Sequence, residues 1–245
     1  MVIEIGGQVV PCKVEKSYGS RLGLRFAEDE PILLVSTPSG QFTHQAEAFI
    51  QKKTSWILKH FRVRQAFYAR RLQFRKELEA GRIFCLGKNR TLEFQEGSRR
   101  WVKLDAGSIR IQLGPEDNWQ ERFAILYGGL RALAKEELTK RTRSLAAQTD
   151  SQVAQIRIKD HKSKWGSCSG KRNINLNWHL ILLPEPLVDY VIIHELMHLR
   201  EMNHSQRFWD WVAHFYPAYK KAEAGLKDQQ WLIGIFAADL LQENA

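Results

Sequence analysis

The pentad His194-Glu195-Leu196-Met197-His198, set between the apolar run Tyr190-Val191-Ile192-Ile193 and Leu199, constrains this chain more than any other feature. On an α-helix, residues four apart share one face. The two imidazoles can then grip one metal ion, and Glu195 can reach a water beside it. Neutral imidazole suits zinc, and a zinc site that does chemistry keeps three protein ligands and one open position. The third ligand must come from beyond these first two turns, because one on the same face would crowd the open position. His204, in Glu201-Met202-Asn203-His204-Ser205, is the candidate, with Glu201 as its rival. Asn203 tolerates the left-handed conformation that ends a helix and turns the chain back.

A plainer reading makes the pentad two surface histidines with an ion-pairing glutamate. The apolar flanks argue against an exposed helix, and buried imidazoles without a metal are costly to leave unsatisfied. Zinc lowers the pKa of a bound water from about 15.7 to about 7. Glu195 can take that proton and later return it to a leaving amine. The motif therefore predicts zinc-dependent hydrolysis, with a peptide bond as the natural target. His44, His60, His161 and His179 lack ligand spacing, and His214 lies one helix further on, where a surface role is expected.

The 245 residues are 44% hydrophobic, enough for one large or two small domains. No apolar run approaches the ~20 residues that span a bilayer. Residues 1–6 show no basic stretch leading into an apolar one, so no signal peptide is expected. Three scattered cysteines, Cys12, Cys85 and Cys168, fit reduced thiols in a cytoplasm better than a disulfide framework. The formal net charge of +10 makes an acidic partner plausible without locating a site for it.

Residues 1 to about 40 read as short strands: 8–11, 13–15, the alternating run 21–26, and 31–36 closed by Pro38-Ser39-Gly40. From Thr43 to about Glu79 the apolar period is helical. Strands follow at 82–86, 91–94, 101–104 and 108–113, and Gly114-Pro115-Glu116-Asp117 is a break. Asp117 or Asn118 should cap a helix running to about Gln148. A strand at 153–158, a Lys/Ser/Gly loop and a strand at 173–177 lead to Pro184, Pro186 and the pentad helix. Residues 205–215 and 218–243 read as further helices. No internal repeat is visible.

The second half resembles a known family. Lys162-Ser163-Lys164-Trp165-Gly166-Ser167-Cys168-Ser169, Ile174-Asn175-Leu176-Asn177, Pro184 and Pro186, Asp189 through Leu199, Asn203-His204-Ser205 and Phe208-Trp209 together look like the YgjP-like metallopeptidases, relatives of the SprT-like and other zincin peptidases. The match is dense from about residue 156 to 226. It is looser before that, with Trp56 as an anchor. The resemblance implies a zincin-like catalytic region, one zinc ion, ligands on His194, His198 and His204, and Glu195 as general base. Met197 departs from the family, which often carries a small residue or Cys there.

Trp165, Gly166 and Ser167 are expected either to pack on the metal helix or to shape a substrate cleft. Asn175 and Asn177 bracket a strand that, as an edge beside the cleft, could pair with an extended peptide. Cys168 is not expected to be a nucleophile. Lys52, Lys53, Lys59, Arg62, Arg64, Arg70, Arg71, Arg75 and Lys76 make a basic helix with no acid among them, interleaved with Trp56, Phe61, Phe67, Tyr68 and Phe74. That pattern suits single-stranded nucleic acid. It equally suits a helix with aromatics in a core and a solvated basic face, which is the reading preferred here.

The expectation is an α+β chain. A strand-rich N-terminal region carrying the basic helix covers 1–114, and a mostly helical zincin-like metallopeptidase region covers 115–245. It should act as a cytoplasmic zinc metallopeptidase with one Zn2+ per chain. Its substrate should be a peptide or protein, contacted by Trp165, Ser167, Asn175 and Asn177. The rivals are a nucleic-acid-associated protease of the SprT-like kind and a non-catalytic metal-binding protein, the latter opposed by the presence of Glu195.

Overall fold

Four strands open the chain: β1 (Val2–Ile5), β2 (Gln8–Lys16), β3 (Gly23–Phe26) and β4 (Leu33–Thr37). They form one sheet in the order β1-β2-β4-β3, with β2 and β4 parallel and the outer pairs antiparallel. Helices α1 (His44–Lys52) and α2 (Thr54–Glu79) follow. This is a computed structural model, and it describes residues 1–27, 30–233 and 235. The chain divides into two compact units, Met1–Gln73 and Phe74–Ala245, with the boundary inside α2.

In the first unit Ile5, Val10, Leu33 and Val35 from the sheet meet Ala46, Ile50, Ile57 and Phe61 from the helices. The helical stretch read from Thr43 to Glu79 is two helices. Thr43 caps the first, its hydroxyl accepting from the Ala46 N–H. The break at Lys53 comes without Gly or Pro; the Thr54 hydroxyl donates to the Gln51 carbonyl at 2.9 Å, a local bond that competes with the helical ladder. Phe61 is in the core as expected. Trp56 stays 40% exposed, and no side chain from Arg62 to Glu77 is buried.

The second unit begins with β5 (Arg82–Cys85), β6 (Lys88–Glu96), β7 (Trp101–Leu104) and β8 (Ser108–Leu113), ordered β5-β6-β8-β7. This repeats the first sheet strand for strand. Each sheet opens with a four-residue strand, a two-residue turn and a nine-residue strand, then a parallel pair and an antiparallel edge. Both turns take positive φ at both positions, Gly6-Gly7 at 54° and 75° and Leu86-Gly87 at 51° and 73°, as a two-residue hairpin requires. The chain thus contains an internal repeat that its sequence does not show. What recurs is strand length and turn geometry, while the residues differ. The third residue of the long strand is buried in both copies, as Val10 in one and Arg90 in the other. Arg90 is accommodated by the carbonyls of Cys85, Asp105 and Ala106.

Helix α3 (Trp119–Gln148) follows, capped by Asn118 in a capping box with Glu121. Asp117 is the other expected cap; it instead accepts from the Gly114 N–H at 2.6 Å and pairs with Arg100. Gly114 lies within the second unit, between β8 and α3. Strands β9 (Gln155–Lys159), β10 (Gly166–Cys168) and β11 (Asn173–Asn177) form a sheet ordered β10-β11-β9. A 3-10 helix (Trp178–Leu182) leads into α4 (Glu185–Met197), then α5 (Gln206–Phe215) and α6 (Tyr219–Asp228). The final stretch read as helical over 218–243 is α6 plus a short 3-10 turn at Gln230–Leu232; residues 236–243 lie outside the described residues.

The architecture is α+β, and within the second unit α4 packs against α3, α5, α6 and the sheet of β10 and β11. Val188, Tyr190, Val191, Ile192, Ile193, Leu196 and Met197 are all buried, so α4 has neighbours on every side. Such burial fixes the axis of the helix that carries the pentad. Among the described residues no helix is long and apolar enough to cross a membrane.

Candidate metal centre

Helix α4 ends at Met197, so His194 lies in its last turn and His198 at its C-cap. His198 keeps helical dihedrals (φ −63°, ψ −17°), which preserves the one-face geometry of the four-residue spacing. The chain then turns through 198–204. Asn203 does this without a left-handed backbone, since it is absent from the positive-φ residues. Its Oδ1 accepts from the Ser205 N–H at 2.9 Å, and the Ser205 hydroxyl caps α5 by accepting from the Phe208 N–H. Two successive side-chain-to-backbone bonds therefore seat His204 just before α5.

His194, His198 and His204 converge: one ring nitrogen of each lies within 4.8 Å of the others. His194 Nε2 and His204 Nε2 face each other at 3.1 Å. Two nitrogens bound to one tetrahedral zinc at 2.0–2.1 Å would stand about 3.3 Å apart, so this pair is already at ligand spacing. His198 Nδ1 lies 3.1 Å from the Glu201 carbonyl. A carbonyl only accepts, so Nδ1 carries the hydrogen and Nε2 keeps its lone pair for a metal. Glu201 thus serves through its backbone. Burial, together with the two neighbouring imidazoles, pulls the His194 pKa down to about 3. Burial likewise lowers that of His198. Both rings are neutral at physiological pH, the form a metal binds. His194 Nδ1 is buried without a partner. The donor set, spacing and protonation fit a zinc ion.

The rings are held by aromatics. Phe208, fully buried, stacks on His198 (centroids 4.4 Å apart, 25°) and meets the edges of His194 and His204 at 4.9 and 4.8 Å. Trp209 stacks on His204, and Tyr219 stacks on Trp209. Sequence reasoning gave Phe208 and Trp209 no role of their own. The signal was their position at the third and fourth residues after the Ser205 cap.

Glu195 is 6% exposed. Burial pushes its carboxyl up to about 8, against the Lys164 ammonium and the Cys168 backbone N–H, which both favour the carboxylate. Its wall is β10. A Cβ on Gly166 would lie 2.6 Å from Glu195 Oε1, 2.7 Å from Cγ and 2.9 Å from Cδ, so only glycine allows this approach. Cys168 is not in the histidine cluster. Its thiol is raised to about 11, chiefly by burial and then by Glu195, so it stays protonated.

The four residues expected at substrate lie around the same strand. Trp165 is 7% exposed and belongs to the core. Asn177 is fully buried, and its Nδ2 donates to the carbonyls of His161 (2.9 Å) and Lys164 (3.0 Å). Asn175 Nδ2 donates to the Ser167 hydroxyl at 3.2 Å. Asn175 and Asn177 sit on the middle strand of the sheet, whose edges are β9 and β10; the edge that meets Glu195 is β10, in a stretch that reads as loop from sequence. His161, His179 and His214 stand outside the metal-binding group found among the described residues.

The chain matches the YgjP-like family, metallopeptidase domain, over residues 20–229. Among solved structures it is similar to the metallopeptidase zymogen abylysin of Pyrococcus abyssi. The identity is 27%, over 38% of this chain and 92% of that one, with a TM-score of 0.34. It is also similar to the zymogen jannalysin of Methanocaldococcus jannaschii, at 22% identity over 38% and 95%, with a TM-score of 0.35. No curated protein matches it.

Proposed function

Since the chain belongs to the YgjP-like metallopeptidase family, we propose that this peptidase uses one zinc ion held by His194, His198 and His204, with Glu195 as general base. The single observation that carries this reading is the convergence of three imidazoles, with His194 and His198 held neutral by burial, beside one buried carboxyl group. When bound, zinc supplies a Lewis acid that polarises the scissile carbonyl and makes a water acidic near neutral pH.

The chain's own residues do the rest. The Glu201 carbonyl fixes the His198 tautomer, and Phe208 and Trp209 fix the planes of the rings. The Glu195 carboxylate takes the proton of the attacking water and passes it to the leaving nitrogen. Burial raises its proton affinity, which suits a group that must hold a proton for part of the cycle. Lys164 favours the charged form, and a zinc ion held by the three histidines would favour it further. A peptide or protein substrate would run past β10, the edge strand against Glu195. Of the four residues proposed at substrate, Trp165, Asn175 and Asn177 would act by shaping that strand, and half-buried Ser167 by contact. Three free cysteines fit a cytoplasmic setting.

The test is zinc analysis of purified protein together with cleavage of a mixture-based fluorogenic peptide library. One zinc per chain and metal-dependent cleavage are expected. Metal-independent cleavage, or full zinc after His204→Ala, would overturn the ligand assignment.

A further inference from the structure

Among the described residues Arg90 is the one buried lysine or arginine, at 7% exposure. A buried charge is ordinarily paired with an opposite one. Arg100, Arg110 and Arg141, all more exposed, each hold a carboxylate. Arg90 holds three carbonyls and, among the described residues, no carboxylate. Its Nε donates to the Cys85 carbonyl at 3.1 Å, and its Nη1 to those of Asp105 and Ala106 at 2.8 and 3.0 Å. A guanidinium has five N–H donors in a fixed fork. The two left over are both on Nη2.

The hairpin does not require a cation here. The matching position in the first sheet is Val10, fully buried. The residue across the ladder is an isoleucine in both sheets, Ile3 opposite Val10 and Ile83 opposite Arg90. An apolar residue therefore builds the same hairpin without burying a charge. A local rule broken at a cost, in one copy of a repeated element, points to function.

Within the second unit Arg90 lines a cleft of about 470 Å³. Small-molecule sites occupy about 300–1,000 Å³ and combine apolar walls with a few polar groups. Here the walls are the β5–β6 hairpin, α3, the 3-10 helix and the start of α4. The Leu86 N–H donates to the Ile181 carbonyl at 2.7 Å, which pins the hairpin to the 3-10 helix. Leu104, Leu138, Leu183 and Val188 supply apolar surface, and Lys88, Lys140 and Arg141 join Arg90 as cations. Arg141 is taken by Glu185 and Asp189, and Glu137 faces the same space. These four cations and three acids leave one positive charge, which one carboxylate balances. Val188 stands six residues before His194, about 9 Å along the axis of α4. No lining residue belongs to the histidine group, so the cleft is separate from the metal centre.

We propose that this cleft binds a small carboxylic acid with an apolar body, the carboxylate on Arg90 Nη2 and the body against Leu104, Leu138 and Val188. A free aliphatic acid and the C-terminal residue of a peptide share that chemistry.

The experiment is calorimetric titration of the full chain with octanoate, N-acetyl-leucine and N-acetyl-leucine amide. One acid per chain should bind with a Kd of about 1 mM or tighter. The amide should bind about 10- to 100-fold more weakly, the loss expected when a hydrogen bond to a charged group is removed. Tighter binding of octanoate identifies an aliphatic acid as the ligand, and tighter binding of N-acetyl-leucine a peptide C-terminus. Arg90→Met copies the apolar choice of the first sheet and should weaken both acids by the same factor while zinc content stays unchanged. If Arg90→Met misfolds, Ser144→Trp decides: Ser144 is an exposed residue at the rim, and an indole there should fill the cleft and block binding. The inference is overturned if neither acid binds in the millimolar range, since Arg90 then serves only its three carbonyls. It is equally overturned if the amide binds as well as the acid. Wild-type affinity in a folded Arg90→Met protein, as for an acid that sits on the metal, would also overturn it.

Discussion

Gly166→Ala puts a single methyl group against the carboxylate and tests the site at its tightest contact. The added Cβ would stand 2.7 Å from Glu195 Cγ, where carbon atoms rest at about 3.5 Å or more. The shortfall of about 0.8 Å must be met by strand or side chain. Glu195 is boxed in at 6% exposure, and the strand is bonded to β11 through residues 165, 167 and 169. The carboxylate is therefore expected to move by nearly an ångström. The cost in stability should be that of overpacking, about 1–3 kcal/mol, leaving the protein folded. The cost in kcat should be about 10²-fold from misplacement, reaching at most the 10⁴-fold of a lost general base. Zinc content should stay at one, because the three nearest atoms to the new methyl all belong to Glu195 and none to a histidine. Gly170→Ala is the control, since a Cβ there meets nothing within 4 Å; it should shift stability by less than about 0.5 kcal/mol. Peptide hydrolysis, zinc analysis and urea unfolding on the three proteins read all of this. Wild-type kcat in a folded Gly166→Ala protein would refute the reasoning, as would loss of zinc with the chemistry otherwise intact.

Other outcomes follow from the same geometry. His204→Ala should lose zinc as severely as His194→Ala in a chelator competition, while Glu201→Ala should keep it, because only the Glu201 carbonyl touches His198. Phe208→Ala should cost about 3–5 kcal/mol in urea unfolding and also weaken zinc binding, since that ring contacts all three imidazoles. In chelated protein, His194 titrates near 3 when folded and near 6.5 when unfolded. Between those values the unfolded state binds the extra proton, so stability is full above about pH 6.5 and falls as pH falls. At pH 4.5 the loss should approach 3 kcal/mol, and His194→Gln should abolish that part of the slope. On the basic helix, replacing Lys59 and Arg62 by Gln should change solubility and leave only weak single-stranded DNA binding to lose. A sub-micromolar complex at physiological salt that those changes abolish would move nucleic-acid-directed proteolysis to the front.

The pentad was legible because four-residue spacing is a local property of helices, and His204 because the open position leaves few places for a third ligand. The repeated sheets were not legible. Hairpin lengths and turn dihedrals recur there while Val10 and Arg90 share one position, and an identity-based eye sees nothing. Strand β10 was missed for the opposite reason: three residues rich in Gly and Ser carry no period, and the strand exists because Asn177 and Asn175 bind its backbone. Asn203 was assigned a left-handed turn on propensity; the structure instead uses its side chain to catch the Ser205 N–H. Phe208 and Trp209 look like any core aromatics in sequence, and only the folded chain puts their rings against the histidines.

The central claim is that three histidines bind the metal while Glu195 moves the proton, and one variant separates these tasks. Glu195→Gln keeps the shape of the side chain and removes its basicity. Zinc content and kcat on the best library peptide, measured on the same preparation, should give one zinc per chain with hydrolysis reduced by about 10²- to 10⁴-fold. Hydrolysis at the wild-type rate, or loss of the zinc along with the activity, would contradict the account.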